Sequence, residues 1–147
     1  MKSEPQVFSI DTLKKDKVTT WEGVRNYQAR NFMRDTMSTG DQVLFYHSSC
    51  EVPGIYGLAE VTKAKVVDES QFDKKSEYFD PKSKIENPTW ICAQLKFVKK
   101  FKLPFTLLEI KEDKNLKDMR VAQKGSRLSV QPVSEKDFDY IFKKKYL

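Results

Sequence analysis

"DQVLFYHS" (residues 41–48) runs through Val43, Leu44, Phe45 and Tyr46 without a polar interruption, bounded by Asp41 and Ser48. A strand with one wet face alternates apolar and polar residues, so this run reads as a strand buried on both faces. "VPGIYGLAEVTKAKVV" (52–67) follows, with Pro53-Gly54 as the turn signal between two strands. In "TWICAQLKFVKKF" (89–101), Trp90, Cys92, Gln94 and Lys96 alternate with Ile91, Ala93, Leu95 and Phe97, which predicts a third strand.

Helical signals surround these strands. Ser9 is placed to N-cap a short helix through Ile10, Leu13 and Lys14. Residues 25–37 read as a second helix ended by Gly40, Thr106 to Glu112 as a short third, and Ser134 to Lys143 as a last one with Ser134 as N-cap and Asp137 at its third position. "GSRLSVQPV" (125–133) reads as a strand after a glycine turn. From Asp68 to Pro88 the chain is polar and irregular, and loops of that length are functional or disordered. Strands and helices mix without regular alternation. This predicts an α+β domain around a curved, mainly antiparallel sheet or barrel, not a doubly wound fold.

The 147 residues suit a single domain, residues 1–147, with a real core. No apolar run reaches a membrane span and no signal segment stands at the N-terminus, so no membrane partner is expected, and the location expected is cytoplasmic, or nuclear if the source has a nucleus. Cys50 and Cys92 make no CxxC and no metal-type pair; free thiols in a reducing compartment are expected. The net charge of +6 is uneven: residues 1–92 hold 13 basic against 14 acidic residues, and residues 93–147 hold 14 against 7. A basic last third points to a polyanion partner, and the end "KKKYL" (143–147) to a solvated basic tail or an electrostatic aid to binding.

"WEGVRNYQARN" (21–31) gathers two arginines, two asparagines, a tryptophan and a tyrosine. On a helix Arg25 would share a face with Ala29 and Phe32, at the edge of a buried stripe where a guanidinium needs a partner. These groups either tie the helix down internally or form a pocket wall of planar donors. Such a wall suits a nucleobase, whose edge hydrogen-bonds in plane and whose face stacks on aromatics; Trp21, Tyr27, Tyr46, Tyr78 and Trp90 are the available rings. In "KGSRLSVQP", Lys124 and Arg127 flank a glycine turn with exposed N–H groups, which makes a phosphate contact plausible. His47, the single histidine, has no ligand partners at metal spacing and no elbow for a nucleophile. Neither a metal nor another cofactor is expected, and no Walker loop, GxGxxG, HExxH or kinase set occurs.

The ordered segments "MKSEP", "FSID", "WEGVRNYQARNFMR", "GDQVLFYHS", "PGIYGLAEV", "YFDPKS", "NPTW", "LKDM" and "GSRLSVQPVS" resemble an EVE domain over essentially the whole chain. The resemblance implies a PUA-like fold related to YTH and ASCH domains, a twisted, barrel-like sheet with helices around it. It also implies nucleic-acid binding with a modified base held in a pocket, and no settled enzymatic activity. Carried onto this sequence, the pocket positions are Ser3 and Glu4, then Trp21, Val24, Arg25, Asn26 and Tyr27, then Tyr46, His47 and Ser48, and finally Ser126, Arg127 and Ser129. An added methyl on the base would meet an apolar wall such as Val24 or Leu128. The expected function is non-catalytic binding of nucleic acid through a modified base, with Lys124 and Arg127 on phosphate. Two alternatives stay open: an enzyme on nucleic acid or nucleotides, with Lys2, Glu4 and His47 as its candidates, and a binder of free modified nucleosides. Whether the nucleic acid is DNA or RNA is left open, and the pattern favours a monomer.

Overall fold

The computed structural model describes residues 1–145; Tyr146 and Leu147 of the basic end lie outside the described residues. In chain order the elements are β1 (Lys2–Ser3), α1 (Ile10–Asp16), β2 (Val18–Thr20), α2 (Tyr27–Asp35), β3 (Gln42–His47), β4 (Gly54–Val67), β5 (Ile91–Thr106), α3 (Leu107–Glu112) and α4 (Glu135–Lys145), with short 3-10 turns at Glu69–Phe72, Lys114–Leu116 and Arg120–Ala122. The strands form one mixed sheet in the order β1-β3-β4-β5-β2. Only β1 against β3 is parallel; the other pairings are antiparallel. Because β1 and β2 stand at the two edges and do not pair with each other, the sheet is open, not a closed barrel. Register shifts interrupt the β4–β5 ladder at four points, and bulges of this kind bend strands and strengthen their twist.

The unbroken run in β3 is explained by what covers it. Val43 and Phe45 enter a cluster with Ile10 and Leu13 of α1 and Ala29 and Met33 of α2. Leu44 and Tyr46 enter another with Ile110 of α3 and Ile141 of α4. The neighbouring β4 contributes Ala59 and Val61 to the first cluster and Ile55 and Leu58 to the second, so one sheet underlies both. Local signals set the helix starts. Ser9 accepts the Thr12 N–H at 3.1 Å, Thr106 and Glu109 close a capping box on α3, and Ser134 accepts the Asp137 N–H at 3.1 Å.

Two expectations are corrected. The second helix begins at Tyr27, not residue 25: Asn26 is its extended N-cap, accepting the Ala29 N–H at 3.0 Å, so Arg25 precedes the helix and shares no helical face with Ala29 and Phe32. Residues 125–133 are not a strand. Gln131 donates to Ser126 Oγ at 2.9 Å and to the Leu128 carbonyl at 2.8 Å, and the segment curls back on itself while Val130 is buried in the core. It is tied to β1 by the Lys2 N–H, which donates to the Ser129 carbonyl at 2.7 Å.

Candidate functional site

The long segment after β4 is held by two buried polar side chains. Gln71 donates to the carbonyls of Asp68 (2.7 Å) and Trp90 (2.8 Å) and accepts from Trp90 N–H (3.0 Å) and Ser83 Oγ (2.5 Å). Asp68, 1% exposed, accepts from the Gly23 N–H and from Arg25 Nη1, each at 2.9 Å, and from the Ser70 N–H and hydroxyl. Burial alone would raise its pKa. The bonds from Arg25, Ser70 and Gly23 outweigh that and hold the carboxyl below its ordinary value. Arg25 also donates from Nε and Nη2 to the Tyr78 carbonyl, at 3.1 and 2.7 Å, and its guanidinium packs between the rings of Trp90 and Tyr78, 5.0 and 5.6 Å from their centroids. Of the two sequence readings for Arg25, the internal tie is the one the geometry realises.

This lock positions a cleft of about 470 Å³ beside β1. Its aromatic lining is Phe8, Trp21 and Tyr78; Val24 supplies an apolar patch, and Ser3, Asn26 and Ser129 supply polar groups. Trp21 is 9% exposed and packs edge-on against Phe8 and Phe45, with centroids 6.1 and 5.6 Å apart, so it forms the floor more than a free stacking face. Gly23 allows the close wall. Its φ of +88° is one that side chains avoid, and a Cβ there would lie 2.7 Å from the Tyr78 ring.

Ser3, Trp21, Val24, Arg25, Asn26 and Ser129 are thus brought together. The other sequence candidates lie elsewhere. Tyr27 is 60% exposed and stacks on Trp90 at 5.0 Å outside the cleft, under the Arg30 guanidinium. His47 is buried: its Nε2 accepts the Ile10 N–H at 3.1 Å and its ring stacks on Tyr56 at 4.1 Å. Burial, assisted by Lys100 and opposed by Asp11, lowers its pKa and keeps it the neutral acceptor that bond requires. Glu4 is exposed, and its carbonyl accepts from Val7 and Phe8. Leu128 packs against the core instead of lining the cleft. Tyr46, Ser48, Ser126 and Lys124 line a different concavity, of about 840 Å³, and Arg127 is exposed between Ser126 and Ser129. Phe8 and the Asp68–Gln71 anchor were missed. The Asp68-Glu69-Ser70 turn at the strand end was a legible capping signal, but its partners lie far away in sequence.

Cys50 and Cys92 are free, and burial pushes the Cys92 thiol up to about 12. No group of three metal-ligating side chains occurs among the described residues, and none of their helices is long and apolar enough to cross a membrane.

Comparison with known proteins places this geometry in a family. Human thymocyte nuclear protein 1 is 40% identical over 160 residues, covering 96% of this chain and 70% of that protein. A crystal structure of a Pseudomonas syringae protein superposes with a TM-score of 0.92 at 43% identity, covering 98% of this chain and 96% of the other. The structure of human thymocyte nuclear protein 1 in complex with DNA containing 5-methylcytosine superposes with a TM-score of 0.89 at 40% identity, covering 98% and 94%. With residues 1–144 also matching the EVE domain, the chain belongs to the EVE domain family.

Proposed function

We propose that residues 1–147 act as one nucleic-acid-binding unit that takes a modified base into the cleft beside β1. The observation that carries this reading is the lining itself: rings of Phe8, Trp21 and Tyr78, an apolar contact at Val24, and polar groups of Ser3, Asn26 and Ser129 converge on one open space. A base leaving its stack needs that combination of flat apolar walls and in-plane partners. A relative of the same fold has been captured with 5-methylcytosine DNA, which makes that base the first to test.

Val24 is the contact for the extra methyl. One buried methyl contributes about 1 kcal/mol, so the preference over the unmodified base is roughly fivefold from this wall alone. The experiment is a pair of titrations with duplexes identical except for one 5-methylcytosine, for wild type and Val24→Ala. Preference in the wild type that shrinks in the variant supports the reading. Equal affinity for both duplexes in the wild type removes the base cleft. Tight, salt-independent binding of the free modified nucleoside would favour the nucleoside-binding alternative instead.

A further inference from the structure

The second concavity shares a wall with the base cleft. Lys2 lines both, and the segment bonded to its N–H contributes Ser129 to one side and Ser126 to the other. On the far side of that ridge, Lys111, Lys117 and Lys124 join Lys2 around the opening, with hydroxyls at Ser48 and Ser126 and no carboxylate in the lining. Lys111, Lys117 and Lys124 are exposed, and none of the four ammonium groups pairs with a carboxylate among the described residues. Unpaired cations kept around one concave surface are costly through mutual repulsion unless an anion is to be placed there.

We infer that this basic cleft is the track for the sugar–phosphate backbone leading away from the extruded base, with Lys2 and the exposed Arg127 on the ridge between the two. The inference rests on the base-cleft reading for its direction. It adds where the phosphates run, and it separates affinity from base choice by position. Phosphate contacts fix register and carry no base information, so the two clefts divide the work.

The test is a triple variant, Lys111→Ala, Lys117→Ala and Lys124→Ala, against a control that removes the same charge elsewhere, Lys14→Ala, Lys15→Ala and Lys102→Ala. Each is titrated with modified and unmodified duplexes from about 50 to about 200 mM salt. All six positions are exposed, and thermal melts verify that both variants fold. The expected result is equal loss for both duplexes in the cleft variant. Its log–log salt slope falls by about 2.7, so its deficit shrinks roughly fortyfold across that range. The control keeps the wild-type slope. An unchanged slope in the cleft variant, or equal losses in both variants, overturns the track. Wild type that binds without preference but with the cleft-lysine dependence sinks only the base reading; wild type that binds neither duplex sinks both.

Discussion

Arg25 Nη1 lies 2.9 Å from the buried Asp68 Oδ2, and the same guanidinium donates twice to the Tyr78 carbonyl. The pair therefore fastens three places at once: Asp68 holds the turn at Gly23, and Arg25 ties the strand end at residue 68 to the loop that carries a wall of the base cleft.

Removing either partner leaves a charge without its counterpart. Arg25 is only 22% exposed and Asp68 1%, so Arg25→Ala should cost about 3–5 kcal/mol. Urea denaturation measures it. Arg25→Lys should recover part of the loss but not the forked bond to Tyr78. A loss under 1 kcal/mol for Arg25→Ala would show that the pair is not the anchor.

The pH dependence follows from Asp68, His47 and the buried Met1 ammonium, whose pKa values are all lowered on folding. The unfolded chain therefore takes up protons first as acid is added, and stability falls toward low pH. For His47 the loss begins below its ordinary 6.5 and is complete below its depressed folded value. For Asp68 it begins below 3.8. The Met1 ammonium, whose pKa burial and Lys2 lower from 8.0 to about 5, adds a loss that begins below 8.0 and is complete below about 5. Melting across the pH range should therefore show one broad upper decline from Met1 and His47 together and a separate lower one from Asp68. His47→Gln, which keeps an acceptor for the Ile10 N–H, should shrink the upper decline and leave the part due to Met1; an upper decline of unchanged size would assign it to groups other than His47.

The sequence was most legible where one residue's environment is set by its neighbours in the chain. The run from Val43 to Tyr46 revealed two covered faces, and Ser9, Thr106 and Ser134 announced their helices, because caps and periodicity are local. It was least legible where a distant partner decides. Nothing near Arg25 says that its partners are Asp68 and Tyr78, and nothing near His47 says that Ile10 donates to it. Alternation in "GSRLSVQPV" imitated a strand, but Gln131 closes that segment on itself before a ladder forms. For the cleft, the segment 21–26 was legible from its density of planar groups, while the contribution of Phe8 needed the fold.

Gly23→Ala tests the cleft wall. The added Cβ meets the Tyr78 ring at 2.7 Å and the residue must hold φ +88°. The left-handed backbone alone costs about 1–2 kcal/mol, and the ring must also move. Stability should fall by at least that much and preference for the modified base should weaken with it. A variant as stable as wild type would mean that Tyr78 does not rest there.

Asn26 offers the cleanest separation of structure from recognition. Its Oδ1 caps α2 through the Ala29 N–H, whereas its Nδ2 has no hydrogen-bond partner among the described residues and belongs to a residue lining the cleft. The two halves of one amide can thus be removed independently. Asn26→Ala deletes both and should cost about 0.5–2 kcal/mol through the lost cap. Asn26→Ser and Asn26→Asp retain an oxygen for the cap and should fold with nearly wild-type stability, yet each lacks the amide donor. If Nδ2 reads an acceptor on the base edge, all three variants lose the preference for the modified duplex, although only the alanine variant loses stability. The serine variant is decisive, because it changes neither charge nor cap. Chemical denaturation and paired duplex titrations on the same preparations measure both quantities. Full preference retained in Asn26→Ser would leave Asn26 as a cap alone and shift base reading to Ser3 and Ser129, the other polar groups of the lining.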